Sequence, residues 1–173
     1  MKRMILILVI VLLCPAVFGQ NNDKDVELSS KFIIDLISKV KWPAESDTES
    51  FVIKVVGNNL YVPILQSIAD SNNSGDKKIV IKAVSLDDKF ENCQIVFIAT
   101  DDLGNLAKVL NKVEKKSTLT VSMHGTFARY GVMVNIREIK DNEIKYAINK
   151  MTARKAKLEI DDDLIKDAVE TFG

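Results

Sequence analysis

Two cysteines, one histidine, one tryptophan, three prolines and seven glycines in 173 residues leave little room for several kinds of chemistry. Cys14 sits in an apolar amino-terminal run, so beyond it Cys93 stands alone. That excludes a disulfide framework and any site built on a Cys/His zinc ligand set. Cys93 opens the apolar run "CQIVFIA" and reads as a core thiol. His124, in "SMHGTF" beside Gly125, has no second histidine to share a metal with and reads as a turn or capping residue. The glycines form no phosphate loop: "GNNLYVPIL" lacks the repeated glycines and the ribose-binding acid of a dinucleotide site, and no nucleophile elbow occurs. Asp161, Asp162 and Asp163 lack the alternation and central glycine of a calcium loop, and cap a helix more simply, as do Asp101 and Asp102. No cofactor and no metal is expected. Twenty-four basic residues against 24 acidic ones give no basic excess, which argues against nucleic acid and anionic membranes as partners.

What is present begins with a leader. "MKRMILILVIVLLCPAVFG" sets Lys2 and Arg3 before an apolar run and small residues near Gly19, the layout of a secretory signal peptide cleaved before Gln20. A membrane anchor is the competing reading, but the run meets Gln20, Asn21, Asn22 and Asp23 before reaching the roughly 20 apolar residues of a spanning helix. A lipoprotein, using Cys14, is disfavoured by bulky Leu13. Cleavage removes two of the 24 basic residues and none of the 24 acidic ones, leaving a net charge of −2. Residues 20–173 then form one domain large enough for its own core.

Two hydrophobic periods alternate along that domain. From Ser29 or Ser30, "KFIIDLISKVKW" carries a helical stripe that Pro43 ends; 51–57 is a strand, 60–69 a helix, 78–84 and 93–99 strands, 101–115 a helix and 118–122 a strand. These strands are apolar nearly throughout, so both sheet faces are covered. "VMVNIREI" and "EIKYAIN" flank "KDN" as an antiparallel hairpin, Asn149 marks the joint where the chain leaves the sheet, and "DDDLIKDAVETF" (161–172) reads as a last helix. The fold class is α/β in three layers: a mostly parallel central sheet, an antiparallel carboxyl-terminal hairpin, and helices on both faces. In such a sheet ligands bind beyond the carboxyl ends of the strands. Gly57, Asn58 and Asn59, then Thr100 and Asp101, then Ser122 and His124 would converge there as a candidate small-molecule rim.

Four stretches in this order resemble the YfiR family of exported bacterial regulators. "FIIDLISKVKWP" is similar to its F-I-x-N-F-x-x-F-x-x-W-P signature, with Asp35 in place of Asn. "IKVVG" and "CQIVFIA" match its first strand and its Cys-x-(aliphatic)₂-Phe-Ile strand. "LTVS" with "FARYGVMVNI" resembles its T-V-S-D…F…G-G-M-I run, with Met123 and Val132 departing from it. "YAINKMTARKAKLEIDDDLIKDA" follows its closing F-E-I-N…A…A-x-L segment, with Ala147 for Glu. The resemblance implies a non-enzymatic periplasmic protein. It would bind the periplasmic sensor domain of an inner-membrane diguanylate cyclase and restrain cyclic di-GMP and biofilm formation; a histidine kinase is the alternative partner. The family's redox control by internal disulfides has no counterpart with Cys93 alone. Phe127 and Tyr130, aromatics after the fourth parallel strand, and Trp42 are the expected partner surface, because interface aromatics contribute disproportionately. The hairpin offers an edge through which two copies would form a homodimer.

Overall fold

The computed structural model describes residues 20–44, 49–72 and 77–173; the expected signal peptide, residues 1–19, lies outside them, as does part of the 70–78 loop. In chain order the elements are α1 (Gln20–Lys39), β1 (Val40–Lys41), β2 (Ser50–Gly57), α2 (Tyr61–Ser71), β3 (Lys78–Val84), β4 (Ile95–Ala99) and α3 (Leu103–Val113). After these come β5 (Leu119–Ser122), a 3-10 turn (Phe127–Tyr130), β6 (Val134–Lys140), β7 (Glu143–Asn149), α4 (Lys150–Lys155), β8 (Glu159–Ile160), α5 (Asp162–Lys166) and β9 (Glu170–Phe172).

Seven strands form one sheet in the order β3-β2-β4-β5-β6-β7-β9, parallel throughout except for the antiparallel β6–β7 pair. The α/β class with its mostly parallel sheet is therefore as the two periods imply. Alternation divides the strand residues between faces. Ile53, Val55, Ile95 and Phe97 meet the main core with α1, α2, α4 and α5, whereas Val56, Val96 and Ile98 meet Leu106, Val109 and Val113 of α3. Each such side chain, fully withdrawn from water, stabilises the fold by about 1.5–3 kcal/mol. Asp102 caps α3 by accepting from the Asn105 amide at 2.6 Å, and Asp161 caps α5 by accepting from the Asp163 amide at 2.8 Å, so both acidic clusters act as helix starts. Asp141 and Asn142 both have positive φ, 52° and 66°, the two-residue turn whose twist suits a hairpin.

Three boundaries differ from expectation. Helix α1 begins at Gln20, not Ser29 or Ser30; those serines are buried mid-helix, and Ser29 Oγ donates back to the carbonyls of Asp25 and Val26 at 2.6 and 3.1 Å. Its end comes at Lys39, ahead of Pro43, because Val40 and Lys41 pair antiparallel with Ile160 and Glu159 as a separate two-stranded sheet. The expected last helix over 161–172 is instead α5 followed by β9. The carboxyl half of β7 offers an open edge, and Val169 donates to the Tyr146 carbonyl at 2.9 Å before Glu170–Phe172 pair with Ala147–Asn149. That outcome also means the hairpin is not the outermost element of the sheet.

One loop is fastened in an unusual way. Lys54, on the α3 face of strand β2 and only 9 % exposed, donates to the carbonyls of Lys89 and Glu91 at 2.8 and 2.9 Å. Lys112 donates to the Asp88 carbonyl at 2.9 Å and Lys116 to that of Phe90 at 3.4 Å. Four successive carbonyls thus face lysine ammonium groups, and charge-assisted bonds of this kind are about twice as strong as neutral ones. Beneath the loop lies buried Cys93, whose thiol pKa is raised by burial.

Candidate functional site

The strand-end rim assembles where the sequence places it, but most of its polar groups are already engaged by backbone. Gly57 ends β2 with φ 102°, and a Cβ there would stand 2.4 Å from the Ala99 carbonyl oxygen. This close approach lets the Asn58 amide donate to that same oxygen at 2.9 Å. The Asn58 side chain accepts from the Leu60 amide at 3.0 Å. Ser122 is fully buried: its hydroxyl donates to the Ile98 carbonyl at 3.0 Å and accepts from the His124 amide at 3.3 Å. Asp101 is exposed and His124 half-buried. What remains open is a shallow cleft of about 440 Å³ at the ends of β2, β3 and β4, lined by Gly57, Asn59, Ser85, Leu86, Thr100 and Asn105. It brings Asn59 to the cleft wall, while Asn58, Asp101, Ser122 and His124 lie outside it.

The aromatic turn behaves differently. In the sequence Phe127 and Tyr130 look alike, but the structure separates them. Phe127 is 4 % exposed and packs in the core under α3, whereas Tyr130 is 58 % exposed. Trp42 is half-buried, edge-on to Phe51 at 5.0 Å between ring centroids, and packs against the main core. Of the three expected partner residues, Tyr130 alone is exposed.

Tyr130 stands beside a groove of about 470 Å³ between the carboxyl ends of α3 and α4, floored by Leu110, Val113, Met133 and Ala156. Two buried asparagines hold the backbone that carries it. Asn149 Nδ2 donates to the Ala128 carbonyl at 2.9 Å, its Oδ1 accepts from the Thr152 amide at 2.9 Å, and its own amide donates to the Met133 carbonyl at 2.8 Å. Asn135, on β6, donates to the Gly125 carbonyl at 3.2 Å. On the outer side Glu170 of β9 accepts from Arg129 at 3.2 Å and Arg137 at 2.9 Å. Asn149 is thus the joint expected from the sequence, while Asn135 was missed; an asparagine inside the apolar run "VMVNI", which must satisfy its amide somewhere, is the signal that marks it.

Among the described residues no group of three or more His, Cys, Asp or Glu is placed to hold a metal ion, and no helix is long and apolar enough to cross a membrane. No curated protein matches the chain. A family match covers residues 26–169, from within α1 to the residue before β9, and takes in both surfaces: the chain belongs to the YfiR/HmsC-like family.

Proposed function

We propose that this protein is an exported regulator that binds the periplasmic sensor domain of an inner-membrane signalling enzyme, a diguanylate cyclase in the first instance, and holds it inactive. The observation that carries this reading is Tyr130. A large aromatic left in water above an apolar groove, on backbone fixed by two buried asparagines, has the character of a preorganised binding anchor. Membership of the YfiR/HmsC-like family supports a regulatory rather than a catalytic role. Deleting the gene should raise cyclic di-GMP, and a copy carrying Tyr130→Ala should fail to restore it. An unchanged level after deletion would count decisively against repression of a cyclase. Export is tested by amino-terminal sequencing of the protein from the periplasm, which should begin at Gln20.

A second reading has one observation in its favour, the cleft of about 440 Å³ at the strand ends, with Asn59, Ser85, Thr100 and Asn105 as its polar lining. A metabolite bound there would raise thermal stability by mass action on the folded state.

A further inference from the structure

The groove beside Tyr130 is bounded by the carboxyl ends of two helices, and both helices end in a costly way. Lys115 follows the last residues of α3 with φ 63°, and Lys157 follows those of α4 with φ 59°. Lys157 occupies the position past the helix end where the chain turns left-handed, whereas Lys115, after extended Glu114 (ψ 134°), is the third residue of a turn closed by the Lys116 amide on the Val113 carbonyl at 3.0 Å; glycine is the usual residue at both. The left-handed conformation is costly for any residue that carries a side chain. At α4 the motif is otherwise complete: Lys157 donates to the Arg154 carbonyl and Leu158 to that of Ala153, both at 3.0 Å, with Leu158 buried behind them. A cation near a helix carboxyl end is favoured by the dipole, which offsets part of the cost.

At Lys115 the groove supplies a further reason for lysine; Lys157 does not line it, and Lys155, which does, is the last residue of α4. Lys115 and Lys155 line it directly beside Tyr130, with Glu114 the one acidic residue among the lining side chains. An apolar floor with two ammonium groups at its margin is complementary to a segment that carries an aliphatic or aromatic side chain next to carboxylates. Anionic lipid is the less suited occupant. Two lysines supply far less attraction to a charged membrane surface than the clusters of about four to eight that bind one, and a floored trough holds a side chain better than a headgroup layer.

We propose that this groove takes an acidic segment of the partner protein, with an apolar side chain against Leu110, Val113 and Met133 and carboxylates at Lys115 and Lys155. The inference rests on the reading of Tyr130 as a partner anchor and adds the charge class of what it binds.

The test uses the full-length protein in intact cells with a photo-crosslinking benzoylphenylalanine at Asn111, which lines the groove. Mass spectrometry of the adduct should give a peptide of a membrane protein with more Asp and Glu than Lys and Arg. The double variant Lys115→Gly/Lys155→Gln should reduce its yield about tenfold while the melting temperature stays level or rises, since glycine relieves the backbone at residue 115. Full yield from the double variant, together with loss of the adduct in Tyr130→Ala, would overturn the acidic class and leave the partner reading standing. A neutral or basic cross-linked peptide would do the same. Absence of any adduct from the otherwise unaltered protein would overturn both. Sedimentation with phosphatidylglycerol vesicles that disappears in the double variant would reassign the groove to lipid.

Discussion

The strand-end rim and the Tyr130 groove are made of similar material, short polar residues and a few large apolar ones, and put it to opposite use. At the rim the polar side chains turn back onto the chain: Asn58 onto the Leu60 amide, Ser122 onto the Ile98 carbonyl, Asp102 onto the Asn105 amide. At the groove the polar side chains, Asn135 and Asn149, are spent from beneath on the loop backbone, and an aromatic residue is left facing water. In the first region Asn58, Ser122 and Asp102 are taken up by the backbone; the ordering cost of a binding surface is met in advance in the second. A polar cluster in sequence is thus a poor guide to a site unless the backbone's own demand for partners has been met first.

The contrast can be broken most strongly at the rim. Gly57→Ala should cost more than about 3 kcal/mol, because a Cβ would lie against the Ala99 carbonyl oxygen in a left-handed residue; chemical denaturation would show it as a large fall in midpoint. Next in size is Asn149→Ala, which leaves the Ala128 carbonyl and the Thr152 amide without partners and should cost about 3 kcal/mol. Amide exchange around residues 127–131 should accelerate more than in the rest of the sheet. An unchanged exchange rate there would contradict the claim that Asn149 fixes the turn.

Alkaline titration sharpens the same comparison from beneath the hairpin. Tyr146 donates its hydroxyl hydrogen to the Leu164 carbonyl at 2.9 Å, and burial pushes its pKa up to about 12 from the ordinary 10.0. The folded state holds the neutral phenol more firmly than the unfolded chain does. Its contribution is therefore whole below pH 10 and is lost as the pH climbs towards 12. Tyr146→Phe should flatten that part of the stability profile. Smaller again is Ser122→Ala, about 1 kcal/mol for the bond to the Ile98 carbonyl, with no effect on partner binding. Smallest for stability is Tyr130→Ala, within about 0.5 kcal/mol because the ring is exposed, yet it should abolish partner capture in a pull-down of solubilised membranes.

Much of the fold was legible because strands buried on both faces and helices with one apolar stripe leave distinct periods. The runs "FVIKVVG" and "CQIVFIA" could hardly be anything but inner strands. Strand β9 was hidden for a physical reason: three residues carry no period, and its pairing is decided by the open edge of β7 some twenty residues earlier. The start of α1 was hidden because "QNNDKD" contributes no apolar residue to the stripe. Phe127 and Tyr130 could not be told apart because only the third dimension decides which one α3 covers. Parallel strands bring the rim residues to one end of the sheet, but the engagement of Asn58 with backbone depends on the approach of β2 and β4 at Gly57, which spacing does not reveal.

The loop held by Lys54, Lys112 and Lys116 has a kinetic consequence. Thiol exchange proceeds through the thiolate, and at Cys93 the charged form is disfavoured while the sulfur is shut behind carbonyls that three ammonium groups hold in place. Modification of Cys93 by a small neutral reagent must then wait for the latch to open, so its rate is a clock for a local opening event and not a measure of sulfur chemistry.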